Sequence, residues 1–425
     1  MNRKLIIGER IMYVDAKETV NCVFTARIRG QITEQQLKTA LAGIQRKHPL
    51  LRVVIREDEK GRPYFVTNTQ IPEIPVRIVE RFSDDDWIAA SEAEWEYRFN
   101  VQKGPLARVV WLRSDDVSEL LLICAHCICD GTSILTLMRE MLQLMDHPET
   151  LLEPYESFES VHALIPPHIL SNKKMKIKAW LTSCIAGFFL SLKTNKKKVV
   201  PGKSYLLHWK MDKESSTVLT SICKKQKTAL HATFSVAFLE AMRELKGDKA
   251  KGNVIYPVDI RRYIPEIKND HLFAFAPIEE LPIIKDNSAD FWTKTRKLRN
   301  DLAGRIDVMN IHELLLMSEY FHSSVKKLVT YLRFNDGTHD VTLSNMGRLN
   351  IPDRYHSFQL ETIYSPSACF PWRNPNTLVI SNYGGEIDFS FISNESFLPK
   401  EDARALTDRM MEILFKKMGV LEQAS

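Results

Sequence analysis

The spacing of hydrophobic residues along the chain switches between a period of two and a period of about 3.6, and each switch marks a strand or a helix. Cys22 to Arg29 (CVFTARIR) alternates like a strand. Thr33-Glu-Gln-Gln36 is a capping-box pattern, and Leu37, Ala40, Leu41 and Ile44 follow at helical spacing until Pro49 stops the helix. Leu51 to Ile55 and Tyr64 to Val66, divided by a Gly-Arg-Pro turn, read as strands, and Trp87 to Phe99 as a helix. Beyond a Gly104-Pro105 turn, Leu106 to Leu112 and Leu120 to Cys127 are two β-rich runs. Ser133 to Met145 is then an amphipathic helix with Ile134, Leu137, Met138, Met141, Leu142 and Met145 on its apolar side.

The pattern starts afresh near Lys203. Ser204 to Met211 reads as a strand, Lys213 to Lys225 and Thr228 to Leu245 as helices, and Asn253 to Ile260 as a strand. Thr377 to Asn382 and Glu386 to Ile392 predict a hairpin around Tyr-Gly-Gly. The last helix, Lys400 to Met418, carries Leu406, Met410, Ile413 and Leu414 on one face. These elements predict an α+β protein with lobes at 1–165 and 203–425, a connecting segment at 166–202, and a site between the lobes.

The connecting segment has its own character. Its centre, Ala179 to Leu192 (AWLTSCIAGFFLSL), is flanked by Lys173, Lys174, Lys176 and Lys178 on one side and Lys193, Lys196, Lys197 and Lys198 on the other. The centre is shorter than the roughly 20 residues that span a bilayer untilted. Peripheral contact with an anionic leaflet through Lys173–Lys198 fits this composition. So does an inter-domain helix buried in the protein, its lysines snorkelling outward.

Composition narrows the remaining classes. At 44% hydrophobic and 26% charged, the chain can bury a core and is not a disordered one. The net charge of +5 is more than accounted for by the eight lysines of the connecting segment, so the rest is mildly acidic and no nucleic-acid surface is expected. The start MNRKLIIGERIM has an apolar run of three residues, Leu5 to Ile7, with no small-residue cleavage site after it. A cytoplasmic location is therefore expected. Seven cysteines are an odd, thinly spread count that fits a reducing compartment. Cys124, Cys127 and Cys129 form the one cluster. It lacks the second ligand pair of a structural zinc site and ends a run of strand formers, so the three read as small apolar strand residues, and Cys127 should point away from its neighbour His126. No metal is expected.

The candidate chemistry is His126-Cys-Ile-Cys-Asp130-Gly131, at a strand end just before a helix. Histidine suits a general base, because an ordinary pKa near 6.5 leaves it largely neutral at pH 7. Asp130, past the strand end, can pair with a cation and hold the loop, while Gly131 removes a side chain where the backbone must turn sharply. The spacing alone is weak: His208-Trp-Lys-Met-Asp212 has it too, without the glycine.

Ala125-His126-Cys-Ile-Cys-Asp130-Gly131 resembles the HHxxxDG motif of the chloramphenicol acetyltransferase-like superfamily, which includes nonribosomal peptide condensation domains, BAHD and alcohol acyltransferases and polyketide-associated acyltransferases. Further motifs follow in the family's order. Lys47-His48-Pro49-Leu50-Leu51-Arg52 resembles its RHPxLR, and Phe99-Asn-Val-Gln-Lys-Gly104-Pro105-Leu106-Ala-Arg108 its FDxxxGPLxR. Val258-Asp-Ile-Arg261-Arg262 resembles VDxRxR, and Ser344-Asn345-Met-Gly347-Arg348 resembles SNxG.

The resemblance implies two similar lobes in a V with a central tunnel, where an acyl thioester donor and an acceptor meet at His126 without an acyl-enzyme. It implies acyl-CoA or acyl-phosphopantetheine as co-substrate, with no permanently bound cofactor, and a monomer. His126 would be the base and Asn345 the oxyanion donor, with a backbone amide near Gly131 as the alternative. Asn345 could equally cap a turn with Gly347. Asp130 would pair with Arg261, or failing that Arg262, and His48 would be structural. One departure stands out: the motif's first histidine is Ala125. Peptide-forming members nearly always keep that histidine and many ester-forming ones do not, which favours acyl transfer to an alcohol acceptor, a lipid or a secondary metabolite. A freestanding amide-forming condensation enzyme and a catalytically silent scaffold that docks carrier proteins remain the alternatives.

Overall fold

A computed structural model describes residues 1–14, 20–193, 202–283 and 289–419 of the chain, and it is built on two large sheets. The first runs in the order Phe358–Ile363, Asn21–Gly30, Val117–Ala125, Ala107–Arg113, Val76–Glu80. All neighbours are antiparallel except the last pair. Val117–Ala125 lies between two strands and is buried along nearly its whole length, which explains its almost continuous apolar sequence. Its charged member, Glu119, is matched by Arg81 at 2.7 Å. The helix Gly131–Asp146 follows, and all six of its predicted apolar residues are buried in the core beneath this sheet.

The second sheet runs Ile278–Pro282, Asn253–Pro257, Val341–Arg348, Thr377–Tyr383, Glu386–Asn394, Ser204–Met211. The predicted hairpin is its centre, and Val341–Arg348 is parallel to both of its neighbours. The helices Leu230–Lys246 and Lys400–Met418 pack in its core.

The segment 203–425 does not stay on its own sheet. Phe358–Ile363 and Ser367–Ala368 cross over and pair with Asn21–Gly30 of the first. Two further apolar clusters contain residues of both halves. One holds Ile6, Val161, Phe273 and Leu315, the other Val23, Trp87, Leu206 and Ile392.

The connecting segment departs from expectation. The whole of Lys173–Lys193 is one helix of 21 residues, longer than the apolar centre Ala179 to Leu192. Over Lys173–Leu192 its length and mean hydropathy of 1.3 are those of a helix able to cross a membrane. Only 17% of that window is buried, so it is not a buried inter-domain helix either. Lys196, Lys197 and Lys198 lie outside the described residues.

Candidate active site

The strand Val117–Ala125 stops one residue before His126, and residues 126–128 form a turn closed by the Ile128 amide donating to the Ala125 carbonyl at 3.0 Å. The strand alternation expected for Cys127 therefore does not apply. Cys127 is buried by the turn, and burial pushes its thiol pKa well up. Cys124 and Cys129 are buried in the core beside it as free thiols, their pKa values also raised.

The turn fixes His126. Its backbone N–H donates to Val20 O at 2.8 Å, and its Nδ1 lies 2.8 Å from the Cys129 carbonyl. A carbonyl oxygen can only accept, so Nδ1 carries the proton and Nε2 holds the lone pair. Among the described residues no group hydrogen-bonds Nε2. The ring is half-buried, with Phe370 5.6 Å away between centroids. Burial pulls the His126 pKa below the ordinary histidine value, against the opposing pull of its backbone hydrogen bonds and of Asp130. A base is active when unprotonated. The acid limb of kcat/KM should accordingly fall below pH 6.5, and a pH profile with an inflection at or above that value would count against His126 as the titrating base.

Asp130 caps the helix Gly131–Asp146, its Oδ1 accepting from Ser133 N at 2.9 Å. The same carboxylate receives Arg261 in a two-pronged bond: Nη1 to Oδ2 at 2.6 Å and Nη2 to Oδ1 at 2.9 Å. Nη2 also donates to Ser133 Oγ at 2.9 Å. Ser133 Oγ in turn donates to the Phe273 carbonyl and accepts from the Phe273 amide, both at 3.0 Å, while Asp130 N donates to that carbonyl at 3.0 Å. One loop of the second half is thus bonded to the His126 loop at several points. The strand leading to Arg261 is shorter than the expected Asn253–Ile260. The strand ends at Pro257, and a single 3-10 turn, Arg261–Tyr263, starts with the Arg261 amide donating to Asp259 Oδ1 at 2.9 Å. Arg262 points elsewhere, to the Tyr263 hydroxyl.

The expected reason for Gly131 holds only in part. Gly131 has ordinary helical backbone, but a Cβ placed there would come within 2.6 Å of Met346 Sδ. Met346 lies at the bulge between Asn345 and Gly347, and Gly347, at φ +65°, is where glycine's left-handed freedom is used. Asn345 is exposed, and its Oδ1 accepts from Gly347 N at 2.9 Å, the turn-capping alternative. It also lines a cavity of about 420 Å³ together with His231, Asp259, Arg261 and Arg262. His126 is not among the walls of that cavity, which lies beside the Arg261 clamp.

The remaining motifs are structural. His48 is fully buried, 2.7 Å from Glu140 and 3.2 Å from the Tyr155 hydroxyl, and Lys47 bridges Glu140 and Asp270 at 2.6 and 2.7 Å. Tyr155 in turn accepts from Leu272 N, so this network holds the loop carrying Phe273. Arg108 is buried against Glu94 and over the Phe99 ring. The competing His208 pairs with Asp388 at 2.6 Å, while Asp212 only caps the helix Lys213–Lys225.

Sequence reasoning missed Ser133 and Phe273. The serine was legible, since an aspartate three residues before it is an N-cap pattern. The Phe273 carbonyl left no signal, because any residue supplies one.

The family to which these features belong is established by comparison. The condensation-domain family model matches residues 12–251, and the chain belongs to that family. Its fold is that of the chloramphenicol acetyltransferase-like group. The TRI3 trichothecene 15-O-acetyltransferase of Fusarium sporotrichioides superposes with a TM-score of 0.73 at 11% identity, covering 97% of this chain and 95% of that one. Polyketide synthase associated protein 5 of Mycobacterium tuberculosis gives 0.68 at 15% identity, covering 98% of each. Among curated proteins, cyclosporin synthetase simA of Tolypocladium inflatum is 27% identical over 229 residues, 51% of this chain but 1% of its own length. Phosphinothricin tripeptide synthetase PhsC of Streptomyces viridochromogenes is 29% identical over 150 residues, 33% of this chain and 14% of its own length. The chain thus spans only a small part of the curated relatives it matches.

Proposed function

We propose that this protein moves an acyl group from a thioester, on coenzyme A or the phosphopantetheine of a carrier protein, to an alcohol. The observation that carries the reading is the locked imidazole: Nδ1–H held by the Cys129 carbonyl, Nε2 free to accept a proton, and burial that disfavours the charged ring. The acceptor hydroxyl gives its proton to Nε2 as its oxygen attacks the thioester carbonyl carbon. The resulting oxyanion needs donors. Asn345 can offer its Nδ2 amide, since only its Oδ1 is engaged, by Gly347 N, and the Gly131 and Thr132 amides, which have no acceptor within the helix Gly131–Asp146, are the alternative. The C–S bond then breaks, and the departing thiolate takes the proton back from Nε2.

Ala125 in place of the motif's first histidine supports ester over amide formation. Kinship with peptide synthetases favours a second reading, an amide-forming condensation enzyme whose donor is a carrier protein. A mass-spectrometric screen decides between them. Purified protein is offered acyl-CoAs of several lengths and acylated carrier proteins, with pooled alcohols, amines and lipids. An ester product is expected. Amide alone would select the second reading, and no product from either donor would leave a docking scaffold as the function.

A further inference from the structure

The helix Lys173–Lys193 is built inside out. A helix on the surface of a soluble protein ordinarily turns its large apolar side chains inward and its small or polar ones to water. Here the inward stripe is Ala179, Ser183 and Gly187, spaced four apart and all buried. Ser183 Oγ donates to the Tyr320 carbonyl at 2.7 Å, and a Cβ on Gly187 would fall 2.5 Å from Ser324 Oγ. These small residues let the helix lie close against Ile311–Phe321 and Val325–Phe334. The large residues face out: Ile177, Trp180, Leu181, Ile185, Phe188, Phe189 and Leu192 each expose between 47% and 65% of their surface. Seven of the fifteen exposed large hydrophobics among the described residues are on this one helix, so they form a patch and not the usual scatter.

We infer that this face docks the protein onto an anionic lipid bilayer, with the helix lying in the plane of one leaflet. Charge selects the occupant. Lys173, Lys174, Lys176 and Lys178 are exposed at one end of the apolar face, and no acidic residue occurs between Ser171 and Val200. Apolar side chains enter the acyl boundary while lysines reach the phosphates, and Trp180 lies between the two, where an indole sits at a membrane interface. Length and hydropathy would suit a spanning helix, but the buried stripe holds one side against protein, so lipid can surround only the other. Membrane docking of this kind goes beyond the catalytic reading and does not depend on it.

The test uses the whole chain and two kinds of vesicle, pure phosphatidylcholine and phosphatidylcholine mixed with phosphatidylglycerol. Co-sedimentation is expected with the mixed vesicles, weakened by salt, and little with the neutral ones. Changing the four described lysines to Gln should weaken binding on the order of 10²- to 10³-fold. The set Ile185→Ser, Phe188→Ser, Phe189→Ser should abolish it while melting like wild type, since these side chains are exposed. Brominated lipid should quench the wild type more than a Trp180→Phe variant, a readout that leaves the rest of the apolar face unaltered. Absence of binding to anionic vesicles, undiminished binding by both variant sets, or resistance to alkaline extraction would each overturn the inference. So would a solution dimer abolished by the serine set, which would make the face a protein interface instead.

Discussion

Replacing His126 by alanine should lower kcat/KM for acyl transfer by about 10²- to 10⁴-fold, the usual contribution of a positioned general base, and leave the fold standing. The side chain makes one hydrogen bond, to the Cys129 carbonyl, among the described residues. Losing one such bond costs about 1 kcal/mol, against a typical total stability of ~5–15 kcal/mol. His126→Gln separates two explanations of lost activity. A glutamine amide can still donate to the Cys129 carbonyl but has no basic nitrogen. If His126 takes the proton, Gln should be as poor as Ala; if it only anchors the turn, Gln should recover much of the rate. Steady-state kinetics with the product pair from the transfer screen, alongside thermal melting, supply the answer. Either variant within about tenfold of wild type would remove His126 from the role of base.

The parts of the site that the sequence revealed are those whose cause is local. The six apolar residues of Gly131–Asp146 repeat with the helical period because one face is buried, and burial is what the structure has for each. The capping box at Thr33 is likewise written within four residues, and the Asp130 cap, equally local, went unread. The competing His208 shows the limit of such signals, for its partner Asp388 is 180 residues away and the aspartate four residues on caps a helix. Long-range facts were silent. Nothing in the spacing of Phe358–Ile363 says that it leaves its neighbours to pair with Asn21–Gly30, since any alternating strand could. Gly131 was visible as a glycine, but its close neighbour, Met346 Sδ near the end of a flexible side chain, is far along the chain and left no local signal. The connecting helix was ambiguous for a related reason: apolar residues on every side do not say which face is covered, and here the small ones are.

Arg261→Ala should destabilise the protein by about 3–5 kcal/mol, the effect of stranding one partner of a buried ion pair, instead of the roughly 0–1 kcal/mol typical of a surface pair. The buried regime applies because the Arg261 side chain is 2% exposed and that of Asp130 14%. The guanidinium also joins the two halves, binding both Asp130 oxygens and Ser133 Oγ while its own turn is anchored on Asp259. Its loss should therefore lower kcat as well, through a loosened His126 loop, with the donor KM changing less. Lysine cannot reproduce the planar fork, so Arg261→Lys should be intermediate in stability. The informative variant is Arg261→Leu combined with Asp130→Asn. With neither member of the buried pair left charged, it should be less destabilised than the two single changes added together, and the shortfall, read from denaturant unfolding, measures the coupling. Additive single and double changes would mean that the pair is solvated in solution. The loop bearing His126 would then owe its position to Ser133 and the Phe273 carbonyl, and Ser133→Ala would become the more damaging substitution.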